Sequence, residues 1–203
     1  MIEINDLKKS FGVRILWQGL SHKFLPGTMT ALTGASGSGK STLLNCLGTL
    51  DKPSSGQILV EDVDLLKLST RKQRLYRKNT VGYLFQDYAL IPDRTVKFNL
   101  QLAVEKHKWP EIPQVLHAVG LESFEEKPVF ELSGGEQQRT ALARVLLKNP
   151  RIILADEPTG ALDLTNSELV IEALRALADK GATVVVATHS PLFRESADTI
   201  IKL

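Results

Sequence analysis

Hydrophobic and polar positions alternate at the start of the chain and then give way to solid apolar runs. Ile2, Ile4 and Leu7 alternate with polar residues, which predicts a first strand buried on one face. A turn is expected at Lys9-Ser10-Phe11-Gly12, then a second strand over 16–25 that breaks at Pro26-Gly27. Later strands read differently: Thr30-Ala31-Leu32-Thr33, Val81-Gly82-Tyr83-Leu84-Phe85, Arg151-Ile152-Ile153-Leu154-Ala155-Asp156, Thr183-Val184-Val185-Val186-Ala187-Thr188 and a last run from Thr199. Near-continuous apolar strands of this kind belong to a parallel sheet covered on both faces. Gln57-Ile58-Leu59-Val60 adds a strand after the turn cluster 51–56.

Helical spacing fills the gaps. It predicts a helix over 42–47, a charged one over 70–78, one over 134–148 carrying Leu142, Val145 and Leu146, and one over 165–180 with Val170, Leu174, Leu177 and Ala178 on one face. Between 87 and 132 no strong strand stands out. Helical patches at 96–104 and 112–119 are separated there by Trp109-Pro110 and Gly120, which reads as an inserted helical unit.

The loop between the strand at 30–33 and the helix at 42–47 carries the first chemistry. Gly34-Ala35-Ser36-Gly37-Ser38-Gly39-Lys40-Ser41 fits G-x-x-x-x-G-K-[ST] in the strand–loop–helix setting this motif requires. Glycines let the backbone turn and aim its amides inward, and the helix that follows from Thr42 adds the positive end of its dipole. Lys40 is placed to reach β- and γ-phosphates and Ser41 to hold Mg²⁺. The expected fold is therefore α/β, with a P-loop NTPase core of the RecA-like kind and a mainly parallel sheet. It has an N-terminal antiparallel β portion and an inserted α-helical subdomain. Core residues are 1–86 and 150–203, the subdomain is about 87–149, and the whole 1–203 is one domain.

Composition changes this little. The 203 residues suffice for one α/β domain with a real core, and 43% hydrophobic with 24% charged is ordinary soluble composition. A net charge of +2 selects no polyanionic partner, and the basic run at 71–78 reads as a solvated helix face. Cys46 stands alone, which excludes an internal disulfide; its place on the helix after the loop makes it packing. No apolar run approaches the roughly 18 residues of a membrane span. Residues 1–6 lack the basic and apolar regions of a signal peptide, so any membrane contact is expected to go through another chain.

Further candidates sit at strand ends, where open α/β sheets bind ligands. Asp156 is placed to hold Mg²⁺ and the adjacent Glu157 to polarise an attacking water. His189 closes a strand at the same edge, and Gln86 closes another, within reach of metal or water. Phe11 reads equally as a platform for a flat ring or as packing. Leu132-Ser133-Gly134-Gly135-Glu136-Gln137 opens a helix with a good N-cap and two bare glycines, a second anion-binding terminus. Two phosphate sites with one P-loop are reconciled if the Ser133 end faces the loop of another copy.

Together, Phe11, 34–41, Gln86, 132–137, 152–157, Gly160-Ala161-Leu162-Asp163 and His189 resemble, in order, the motifs of the nucleotide-binding subunit of ABC transporters. The resemblance covers nearly the whole chain. It implies that two cassettes sandwich two ATP molecules, with Mg²⁺, and that Gly34, Ala35, Ser36, Gly37, Ser38, Gly39, Lys40, Ser41 and Thr42 cradle phosphates. Phe11 would stack on adenine; Ser133, Gly135 and Glu136 would act across the dimer. Glu157 would activate water, His189 would meet the γ-phosphate, and Asp163 would communicate between sites. Gln86 would sense a membrane permease whose coupling helix docks between core and helical subdomain. The implied location is cytoplasmic, peripheral on the inner membrane face, with no nucleic-acid partner.

The stretches 155–163 and 85–92 resemble the macrolide-exporter and lipoprotein-releasing branch. The short length resembles cassettes of bacteriocin exporters, which favours export of a peptide, lipoprotein or drug-like substrate. Departures are Phe11 where tyrosine is frequent, Lys97-Phe98 before Asn99 where an acid is common, and no regulatory domain after Leu203. A soluble ABC-type ATPase acting on nucleic acid or ribosomes is the main alternative. Gln86 and Ser133 stand too close for the long coiled coil of its chromosomal members, and this is one cassette rather than two. A P-loop small-molecule kinase has no use for the Ser133 motif.

Overall fold

The computed structural model describes residues 1–160 and 162–203. Two sheets organise it. Strands β1 (Ile2–Phe11), β2 (Arg14–Phe24), β4 (Ser55–Val60) and β5 (Val63–Asp64) form an antiparallel sheet in the order β2-β1-β4-β5. Strands β3 (Met29–Thr33), β6 (Val81–Leu84), β7 (Ile152–Asp156), β8 (Thr183–Ala187) and β9 (Thr199–Lys202) form a parallel sheet in the order β6-β7-β8-β3-β9. Helices α1 (Lys40–Leu47), α2 (Thr70–Asn79), α3 (Val96–Gln101), α4 (Ile112–Ala118), α5 (Gly134–Lys148), α6 (Leu164–Asp179) and α7 (Pro191–Ser196) complete it.

Four of the five parallel strands, β3, β6, β7 and β8, are mostly apolar because both their sides are largely buried, whereas β9 is a half-exposed edge strand. On β7, Ile153 and Ala155 pack into a core shared with α3–α7, while Ile152 and Leu154 pack into a second core with α1 and the antiparallel sheet. On β8, Val184 and Val186 face the first core, and Val185 and Ala187 the second. The side-chain period of two sorts each strand between two layers. No described helix is long and apolar enough to cross a membrane.

Three elements differ from expectation. The first strand runs on through Lys9-Ser10-Phe11, and the turn falls at Gly12-Val13. These polar residues stay in the strand because Lys9 is buried against Asp51 (Nζ to Oδ2, 2.7 Å) and the Lys52 carbonyl (2.6 Å), and because register shifts after Ile4, Leu7 and Lys9 absorb the irregularity. The helix expected over 96–104 ends at Gln101. A 3₁₀ segment at Lys106–Glu111 takes up Trp109-Pro110. Helix α7 arises where no helix was expected: Ser190 caps it and Pro191 opens it. Cys46 is buried as expected, and burial pushes its thiol up to about 12, so it is packing.

Candidate functional site

Four of the five parallel strands, β3, β6, β7 and β8, lead at their carboxyl ends into one cavity of about 670 Å³. Ser36, Gly37, Gly39, Lys40, Ser41 and Thr42 line it from the loop and α1, Gln86 from beyond β6, Asp156 and Glu157 from β7, and His189 from beyond β8. Ten of the residues singled out in the sequence are thus brought together by strand order alone.

The loop is built to keep its shape. Gly39 has φ +97°, and a Cβ there would stand 2.7 Å from Trp17 Nε1, whose N–H points at the Gly39 carbonyl (3.4 Å). Trp17 is buried, so the indole cannot yield. Gly39→Ala should therefore strain both loop and hairpin, lowering stability by roughly 1–3 kcal/mol and weakening nucleotide binding. Thermal melting with and without nucleotide reads both. An unchanged midpoint with normal affinity would show the packing to be loose.

Lys40 is buried, and its Nζ lies 3.0 Å from the Gly34 carbonyl, 3.2 Å from the Ala35 carbonyl and 3.1 Å from His189 Nε2. An ammonium only donates, so in this contact His189 Nε2 is the acceptor. Glu157 Oε1 is 3.6 Å from the same Nε2, and Glu157 Oε2 accepts from the His189 backbone amide at 3.2 Å. Lysine, histidine and glutamate form one chain of contacts. Glu157 itself sits at φ +45°, a left-handed conformation that a non-glycine residue holds only when its surroundings enforce it. Its amide bonds to the Ala187 carbonyl (2.9 Å), and its carbonyl accepts from Gly160 (3.1 Å).

Burial lifts the Asp156 carboxyl above its ordinary range, opposed by the Ser41 hydroxyl bonded to it and by the charge of Lys40. A half-buried carboxylate that shares a cavity with a hydroxyl (Ser41) and an amide (Gln86) is a hard-oxygen set of the kind Mg²⁺ takes. Among the described residues no cluster of three or more His, Cys, Asp or Glu could hold a metal. These residues fit an ion that takes its remaining ligands from water and phosphate.

Other expected residues lie off the cavity wall. Phe11 is exposed at the end of β1, with Lys9 Nζ 4.8 Å from its ring centroid. Ser133 caps α5 in a full capping box: its hydroxyl accepts from the Glu136 amide (3.3 Å), and Glu136 Oε2 accepts from the Ser133 amide (2.7 Å). The Ser133 amide and then its hydroxyl hold the Glu136 carboxyl below its usual range. Gly135 borders Leu162, to whose side chain an added Cβ would come within 3.7 Å. Asp163 caps α6, accepting from the Asn166 amide at 2.8 Å. Ala161 of the 160–163 motif lies outside the described residues.

The cavity also takes Gly160 and Leu162 of the 160–163 motif, and three residues the sequence did not single out: Leu16, Tyr88 and Gln138. Tyr88 and Ala89 are consecutive left-handed residues (φ 65° and 46°), and the Arg144 guanidinium donates to both their carbonyls at 2.8 and 2.6 Å. Proximity to Gln86 was the only signal for Tyr88. Gln138 carried no signal beyond its place one turn into the helix that Ser133 opens, which it shares with its polar neighbours.

Comparison with known proteins fits this geometry. The profile of the family described as "ABC transporter" matches residues 17–160. A Mycoplasma pneumoniae protein named "Putative ABC transporter ATP-binding protein MG065 homolog" is 38% identical over 189 residues, 91% of this chain and 41% of its own length. The Shigella flexneri "Macrolide export ATP-binding/permease protein MacB" is 38% identical over 214 residues, covering 100% of this chain and 33% of its own. The chain thus spans about a third to two fifths of the length of these curated relatives. Among solved structures, the ATP-binding cassette MJ0796, described as a dimer in a post-hydrolysis state with ADP and Pi, superposes with a TM-score of 0.90 at 33% identity. That match covers 100% of this chain and 94% of the other.

Proposed function

Because this chain belongs to the ABC transporter family and is an ABC-type ATPase, we propose that two copies close on two ATP molecules and drive a membrane permease in export. The observation that carries the pairing is the split in the site. Lys40, Gln86, Asp156, Glu157 and His189 line one cavity, while Ser133 at the start of α5 lies off its wall. The first amides of a helix lack intrahelical partners, and with the helix dipole they favour an anion. A second copy supplies that anion as the γ-phosphate in its own loop.

In this reading the amides of residues 34–39 and the Lys40 ammonium take the β- and γ-phosphates, and Lys40 gives up its carbonyl contacts to do so. Ser41, Asp156 and Gln86 would hold Mg²⁺, which would supply positive charge to offset that of the phosphates. Glu157 accepts the proton of the attacking water and His189 contacts the γ-phosphate. Phe11 stacks on adenine with its free face. Asp163, at the cap of α6, links the two sites. The permease docks in a groove of about 280 Å³ beside Gln86, where Tyr83 and Phe85 stack with centroids 3.9 Å apart, next to Leu50 and Ala103. This puts the pair on the inner face of the membrane. The MacB relatives support export, since their name joins ATP-binding and permease functions in macrolide export.

A site shared by two copies makes turnover depend on their encounter. The ATPase rate per copy should rise with protein concentration until the dimer saturates. A constant rate per copy, across dilutions where light scattering finds only monomer, would contradict the pairing.

A further inference from the structure

Helix α5 grips both ends of the loop that follows Glu157. Gln138 is 3% exposed, lines the cavity, and its Nε2–H donates to the Pro158 carbonyl at 2.9 Å. Pro158 is buried and has no N–H, so this carbonyl is its one backbone polar group. One position on, the Arg139 guanidinium bonds Asn166 Oδ1, and Asn166 Nδ2 in turn donates to the Asp163 carboxylate at 2.9 Å. The loop from Glu157 to Asp163 is therefore held at its start by Gln138 and at its end through Arg139.

The start matters most. Glu157 is left-handed, and the Pro158–Thr159 peptide, whose carbonyl Gln138 holds, is the middle peptide of the turn that begins at Glu157 and closes on the Gly160 amide. Without that donor a buried carbonyl goes unsatisfied, and the peptide can rotate to find another partner. Rotation there opens the turn that the Gly160 amide closes on the Glu157 carbonyl (3.1 Å), and with it frees the backbone torsions that set the Glu157 side chain.

We propose that Gln138 is a positioning residue for hydrolysis: its amide, donated to the Pro158 carbonyl, fixes the left-handed turn at Glu157 and so aims the carboxylate at the attacking water. It acts through Glu157, and the proposal rests on the base role given to that residue above. Neither the P-loop nor the Ser133 cap includes it. Its amide is taken up by the Pro158 carbonyl, so its removal should separate turnover from binding.

The test is a double-mutant cycle on the full chain, with single-turnover hydrolysis, nucleotide affinity and thermal midpoint measured for each protein. Gln138→Met keeps the volume and removes the donor; Gln138→Asn keeps an amide too short to reach. Either should slow hydrolysis by roughly ten- to a hundredfold, the scale of a misplaced catalytic group, with ATP affinity near that of the parent and a midpoint lowered only by the loss of one buried hydrogen bond. In a Glu157→Gln background the same changes should cause no further loss, since the group they aim is gone. A full-strength loss in that background overturns the positioning role, as does normal turnover in both single Gln138 variants or a loss confined to ATP affinity. Parent-like turnover of Glu157→Gln alone would instead remove the base assignment.

Discussion

Glu157→Gln should lower ATP turnover by about 10²–10⁴-fold, the scale of general-base removal, while leaving ATP affinity nearly unchanged. The substitution keeps the size of the side chain and its acceptor oxygen for the His189 amide, now 3.2 Å away. It removes the basic oxygen that a water proton needs. Lys40, Ser41 and the loop amides are untouched, so the triphosphate still binds and the pair still closes. Because opening follows hydrolysis, the variant should accumulate as an ATP-bound dimer. Rapid-quench hydrolysis and light scattering check the two halves. Parent-like turnover would sink the base role, and a monomer with ATP bound at normal affinity would separate the base role from pairing.

Ser133→Arg should abolish hydrolysis yet leave nucleotide binding to the monomer almost intact. The capping box would go with it, since Ser133 both receives from and donates to Glu136. Loss of such a cap costs about 1 kcal/mol, too little to unfold a domain of ordinary stability. The effect on turnover should be far larger, because a long cation would fill the space where another copy's phosphate is expected. Fluorescent nucleotide titration of the dilute protein, beside its ATPase rate, distinguishes the cases. A monomer that loses ATP affinity would mean that Ser133 serves its own cavity.

Much of this was legible in the sequence because it was local. Helix α5 follows from its cap, its glycines and the spacing of Leu142 and Val145, and its bounds match the expected 134–148. The parallel strands announced themselves by their near-continuous apolar runs, and their carboxyl ends then brought Asp156, Glu157, Gln86 and His189 to one cavity. What escaped was set by contacts distant in sequence. The end of β1 could not be placed because Lys9 reads as a turn residue until Asp51, forty-two positions away, is known to bury it. Gln138 looked like one polar residue among several at a helix start. Only the Pro158 carbonyl distinguishes it. Glu157 gave no sign of its left-handed backbone, since a glutamate carries no local preference for it.

The claim that the loop at Gly34–Ser41 is half of a site is tested most directly by mixing two dead proteins, Lys40→Ala and Ser133→Arg. In a mixed pair, the intact Lys40 of one copy meets the intact Ser133 of the other, and both lesions fall in the second site. An equal mixture should regain ATPase activity, up to about a quarter of the parent rate if pairing is random and one site per mixed dimer works. If each chain completes its own site, no mixture can contain an intact one, and activity will stay at the level of the separate variants.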